Sequence, residues 1–102
     1  MQLVRETYGI TQSFPAEERF GLVSQMRRAA VSIPSNLAEG AARDTRREFA
    51  HFVSIARGSI SELETQMLIA FDLGYIDREH EVFASLERVS QLVGGLHRSL
   101  KR

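Results

Sequence analysis

The 102-residue chain contains no cysteine and no tryptophan, only two prolines, and as many acidic as basic side chains, 13 of each. Without cysteine there is no disulfide framework, no thiol nucleophile and no thiolate metal ligand, which fits a reducing, cytoplasmic compartment. No apolar run approaches the roughly 18 residues that a membrane span requires, and Met1 is not followed by the charged and apolar regions of a secretory signal. A cytoplasmic protein with no membrane partner is the expectation. What the chain does contain, 43% hydrophobic and 25% charged residues, is ordinary for one globular domain over residues 1–102.

The apolar residues recur with a helical period and show no strand-like alternation. Phe49, Val53, Ala56, Ile60, Leu63, Met67 and Ala70 are spaced alternately by four and three, a heptad seam that predicts one long helix over 45–73. Thr45 with Glu48 three residues on has the form of a capping box, and Gly74 is the residue type that closes a helix in the left-handed region. A second long helix is expected over 78–101, with Val82, Leu86, Val89, Val93, Leu96 and Leu100 as its seam and Asp77 as its N-cap. Gly94 and Gly95 interrupt it at about 1 kcal/mol each relative to alanine, which predicts close backbone approach or fraying there.

Between Glu17 and Ala42 the seam Phe20, Val23, Met26, Ala30, Ile33, Leu37 and Ala41 keeps its phase across Pro34. It reads as one kinked helix; the alternative is two helices broken at Ile33. Leu3, Val4, Tyr8 and Thr11 mark a short first helix over 2–12, ended by Ser13, Phe14 and Pro15. Four helices with short connectors predict an all-α fold, an antiparallel up-down-up-down four-helix bundle. Its short first helix should leave one end uncovered beside Leu37, Ala41, Phe49, Leu96 and Leu100.

The run ERFGLVSQMRRAAVSIPSNLAEG over residues 18–40, together with Glu48-Phe49, FVSIARGS over 52–59, ELETQ over 62–66 and LGYI over 73–76, resembles the 23S ribosomal-RNA intervening-sequence protein family. The resemblance is strong over about residues 8–76. It implies a four-helix bundle that assembles as a ring-shaped homopentamer, encoded in some bacteria within insertions in ribosomal-RNA genes, with a biochemical role largely unassigned. A related branch, the accessory variability determinant of diversity-generating retroelements, has the same architecture and works with a reverse transcriptase and its RNA. That branch is usually strongly basic, whereas this chain carries no net charge. Family members usually also have about a dozen more residues at the start, often with tryptophan.

Enzyme signatures are missing: there is no phosphate-binding glycine loop, no dinucleotide turn and no recognisable nucleophile with its base. Glu48-x-x-His51 and Asp77-x-x-His80 have the spacing of di-iron motifs but fall at opposite ends of the expected bundle and off its seams, so surface residues are the simpler reading and no metal or cofactor is expected. Three groups of residues stand out instead. Arg27 and Arg28 should lie level with Glu62 and Glu64, with Asn36 and Glu39 extending a polar cluster that sets register or assembly. A second seam on the third helix, Phe52, Ile55, Ser59, Glu62, Gln66, Ile69 and Leu73, is a candidate oligomer face; a broad intramolecular core face is the alternative.

The third group is electrostatic. The expected topology gathers Arg43, Arg46, Arg47, Arg98, Lys101 and Arg102 at one end of the bundle, and Glu17, Glu18, Asp72, Asp77, Glu79 and Glu81 at the other. All six basic residues are candidates for binding RNA or another anion; Arg98, Lys101 and Arg102 also complement a helix C-terminus, whereas Arg46 and Arg47 oppose the dipole at the start of the third helix. Together these features describe a non-enzymatic, homo-oligomeric helical scaffold or adaptor, a pentamer by the family resemblance. Its expected partners are RNA or an RNA-bound protein such as a reverse transcriptase. The alternative is a direct RNA-binding module that uses the arginine-rich end.

Overall fold

The computed structural model describes residues 1–101. Among them are four α-helices, α1 (Gln2–Thr11), α2 (Leu22–Ala41), α3 (Arg46–Asp72) and α4 (Glu81–Leu100), and a 3₁₀ turn over Ala16–Glu18. Each helix packs against its neighbours in chain order, and α1 also closes against α4. Ser32 meets Ser59, while Gly40 lies against Phe49 and Phe52 farther toward the start of α3, so α2 and α3 run antiparallel. The first residue of α3, Arg46, likewise reaches the last carbonyls of α4. The molecule measures 44 × 25 × 18 Å.

The heptad seam of α3 is the spine of the core: Val53, Ala56, Leu63, Met67 and Ala70 are fully buried and Ile60 nearly so. Met26, Ala30 and Ile33 face it from α2, and Val82, Leu86 and Val93 from α4. Thr45 caps α3 by accepting from the Glu48 backbone N–H at 3.1 Å and donating its hydroxyl to the Glu48 carboxylate at 3.0 Å. At the other end Gly74 takes φ +80°, and the bonds Tyr75 N–H to Ala70 C=O (2.9 Å) and Gly74 N–H to Phe71 C=O (3.0 Å) complete a Schellman motif. α2 runs on through Pro34 without a break, so the alternative of two helices does not hold.

Three local expectations need correction. The second helix starts at Leu22, not Glu17, because the chain turns through Ala16–Glu18 and Gly21 (φ −107°, ψ −106°) before helical dihedrals begin. Phe20 consequently leaves the seam and is 91% exposed. The fourth helix starts at Glu81 and is capped by His80, whose Nδ1 accepts from the Val82 N–H at 3.0 Å; Asp77 instead begins the preceding turn through its carbonyl. The delay arises because Tyr75 and Ile76 first pack back onto the core. Third, α4 passes unbroken through Gly94 and Gly95, and among the described residues the outside atoms near their missing β-carbons belong to the Arg98 guanidinium. Close helix approach occurs at Gly40, where a β-carbon would lie 2.7 Å from Phe52 Cβ. Around the end that α1 does not reach, Leu37, Phe49, Leu96 and Leu100 are half-buried and Ala41 is exposed.

Candidate functional site

The second seam of α3 lies beside α2 and is only partly covered. Phe52 is half-buried between Gly40 and the Arg43 guanidinium, which stacks 4.8 Å above its ring. Ser59 shares a 2.8 Å hydroxyl contact with Ser32. Gln66 is buried, and its Oε1 has no hydrogen-bond partner among the described residues. The outer members remain in solvent: Ile55 at 39%, Ile69 at 44%, Leu73 at 53%, and Glu62 also exposed. The outer members thus form a flank of α3, with Ile55 toward one end, Ile69 and Leu73 toward the other and Glu62 between, that lies outside the core of the single chain.

The expected ion-pair cluster between α2 and α3 does not form in the chain. Arg27 turns the other way, donating through Nε to Thr11 Oγ1 (2.9 Å) and through Nη2 to the Tyr8 carbonyl (3.4 Å), with its guanidinium 4.6 Å over the Tyr8 ring. It ties α1 to α2. Arg28 and Glu62 border the same shallow depression but make no ion pair, and Glu64 is exposed. Asn36 donates to the Ser32 carbonyl (2.8 Å) and hydroxyl (2.9 Å), so the polar link between α2 and α3 is the neutral set Asn36, Ser32 and Ser59. Among the described residues the one salt bridge joins Glu39 to Arg43, at 2.5 Å on one face of the α2 end.

At the basic end the arginine that breaks the dipole rule has a structural partner. Arg46 donates through Nε to the Leu100 carbonyl at 3.2 Å and through Nη2 to the Ser99 carbonyl, so it neutralises the C-terminus of the antiparallel neighbour α4. Arg43 is engaged by Glu39 and Phe52, Arg47 and Lys101 are exposed, and Arg102 lies outside the described residues. The opposite end is held by Tyr75, whose hydroxyl donates to Glu18 Oε2 at 2.9 Å and whose ring stands 5.1 Å from that of Phe14. That hydrogen bond, with burial and the charges of Glu18 and Glu17, raises the Tyr75 pKa above its ordinary value. Glu48 and His51 sit at the start of α3, where the His51 ring meets Phe52 edge-on, while His80 caps α4 far away.

One constellation escapes a reading by seams alone. His97 is buried between α3 and α4, with Nδ1 3.1 Å from Arg57 Nη1 and Nε2 3.1 Å from Ser54 Oγ. A guanidinium can only donate, so Nδ1 accepts and the proton resides on Nε2, from which it is donated to Ser54. Burial first, and then the charges of Arg57, Lys101 and Arg98, push the His97 pKa below its ordinary value. A histidine inside an apolar stripe and an arginine off the seam of the facing helix were the available signals.

No helix among the described residues is long and apolar enough to cross a membrane. No curated protein shows significant similarity to the chain. The family model described as 23S rRNA-intervening sequence protein matches residues 1–95, a span that takes in α1, α2, α3 and most of α4. The chain therefore belongs to the 23S rRNA-intervening sequence protein family.

Proposed function

We propose that the protein is a non-enzymatic scaffold or adaptor that assembles with copies of itself, five by the family resemblance, and has RNA or an RNA-bound protein such as a reverse transcriptase as its partner. The observation that carries this reading is the outer flank of α3. Ile55 and Ile69 of the 27-residue α3, and Leu73 at its C-cap, are exposed along one line. A second subunit lying along α3 would take these aliphatic side chains out of water. Light scattering at micromolar concentration should give a multiple of 11.5 kDa, and Ile69→Glu should dissociate it with helicity retained. A monodisperse, natively helical monomer would sink the proposal.

A second reading, direct RNA binding through the basic end, is favoured by one observation: Arg47, Arg98 and Lys101 are exposed and have no carboxylate within ion-pairing distance among the described residues. Phosphate contacts there would release counterions and make RNA retention fall steeply with salt, whereas an apolar subunit interface would resist it.

A further inference from the structure

Beside α4, α3 borders a surface cleft of about 630 Å³ whose polar lining includes Arg57, Arg98 and the hydroxyls of Ser54, Ser61 and Ser90. No carboxylate among the described residues lines it. Among the described residues neither arginine has an ion-pair partner. The hydrogen bond that orients Arg57 goes to the neutral ring of His97, which leaves the positive charge uncompensated. Because His97 donates to Ser54, the Ser54 hydroxyl proton is left to point elsewhere, and the cleft is rich in donors. Arg57 and Arg98 are the charged groups of its lining, so the cleft is a region of positive potential.

The backbone leaves this cleft open. Gly58 and Gly94, from facing helices, both line this cleft. Glycine inside a helix is unfavourable relative to alanine and is usually explained by a neighbour that leaves no room for a side chain. That explanation holds for Gly40 but not here. A β-carbon on Gly58 would meet nothing within 4 Å, and one on Gly94 would meet only the Arg98 guanidinium at 3.5 Å. At Gly58 and Gly94, as at Gly9 in α1, no close neighbour requires a glycine, and in this cleft the missing side chains leave its space open.

We propose that this cleft binds a phosphoryl group, held between Arg57 and Arg98 with serine hydroxyls as additional donors. Paired guanidinium groups match the charge and the multiple acceptor oxygens of phosphate, and the open floor accommodates its bulk. The site is distinct from the exposed flank of α3 that supports self-assembly, and it does not depend on that reading.

The test uses the full chain in whatever assembly it forms. Pyrophosphate binding is measured by titration calorimetry, and a short fluorescent RNA with and without a 5′-phosphate serves as the polymer probe. Pyrophosphate should bind once per chain, and Arg57→Gln or Arg98→Gln should each weaken it by about tenfold or more, a typical consequence of losing one charge-assisted contact. Gly58→Leu fills the cleft from a position with room for the side chain; it should abolish binding without lowering the melting temperature, which loss of a merely structural feature would not do. Competition by pyrophosphate against only the 5′-phosphorylated RNA identifies a terminal phosphate as the natural group, and competition against both RNAs identifies the backbone. Failure of folded wild-type protein to bind pyrophosphate at millimolar concentration would overturn the proposal. So would binding that survives both Arg98→Gln and Gly58→Leu, or a Gly58→Leu variant that dissociates the assembly while retaining pyrophosphate.

Discussion

Gly40 is a position of close approach between α2 and α3. A methyl group there would sit 2.7 Å from Phe52 Cβ and 2.9 Å from Phe49 Cδ1. The Phe49 ring can turn aside, but Phe52 Cβ is fixed to the α3 backbone, so the helices themselves would have to part. Alanine gains about 1 kcal/mol of helix propensity, against about 1–3 kcal/mol for overpacking a tight contact. Gly40→Ala should therefore lower the urea midpoint; a raised midpoint would show that the helices separate freely. His97 makes a pH-dependent contribution of definite sign. Its folded pKa lies below the ordinary 6.5 because burial, Arg57, Lys101 and Arg98 all disfavour a second proton. The unfolded chain binds that proton more readily. The stabilisation from neutral His97 is therefore complete above 6.5 and is lost as the pH falls through that value toward the lowered folded one. Melting followed by circular dichroism from about pH 8 to about pH 5 should show this loss in the wild type and a flatter profile in His97→Gln.

Helix boundaries in this protein are governed by a few side chains at the junctions. Thr45 and Arg46 are adjacent, yet they serve different helices: Thr45 caps the start of α3, and Arg46 satisfies carbonyls at the end of α4. Thr45→Ala should cost about 1 kcal/mol, and Arg46→Met about 0.5–1 kcal/mol at this exposed helix end. Amide hydrogen exchange separates the two, since the first should loosen the opening turn of α3 and the second the closing turn of α4. Faster exchange in the same turn for both variants would contradict these assignments. The other starts follow the same logic less visibly. Gly21 delays α2 and puts Phe20 into solvent, and the packing of Tyr75 and Ile76 carries the start of α4 from Asp77 to His80.

The molecule as a whole combines a well-filled centre with incompletely used flanks. Its ends differ in charge, with Arg43, Arg46, Arg47 and Lys101 where α2 passes to α3, and Glu17 and Glu18 near the Tyr75 connector at the other. Along one side, α3 keeps Ile55, Ile69 and Leu73 in water. If those residues form a subunit interface, stability is coupled to protomer concentration by mass action. The melting temperature of the wild type should then rise on concentration, while Ile69→Glu should melt lower and independently of it. Concentration-independent melting of both proteins would show that the flank is not a subunit interface.

The helical content and the buried stripe of α3 were legible in the residues because helical periodicity is local: Val53 through Ala70 repeat by threes and fours, and a chain with that repeat buries that face. Thr45 and Gly74 were legible for the same reason, since a cap and a Schellman turn involve residues only a few places apart. The partners of Arg27, Arg46, Arg57 and His97 were not. Each is set by the rotation and register of a neighbouring helix, which the packing of the whole core decides. Charge pattern pointed Arg27 at α3 and Arg46 at an external anion. Folding turned the first onto α1 and the second onto α4, because an arginine near an antiparallel helix terminus or a buried hydroxyl finds acceptors there that no spacing along the chain records.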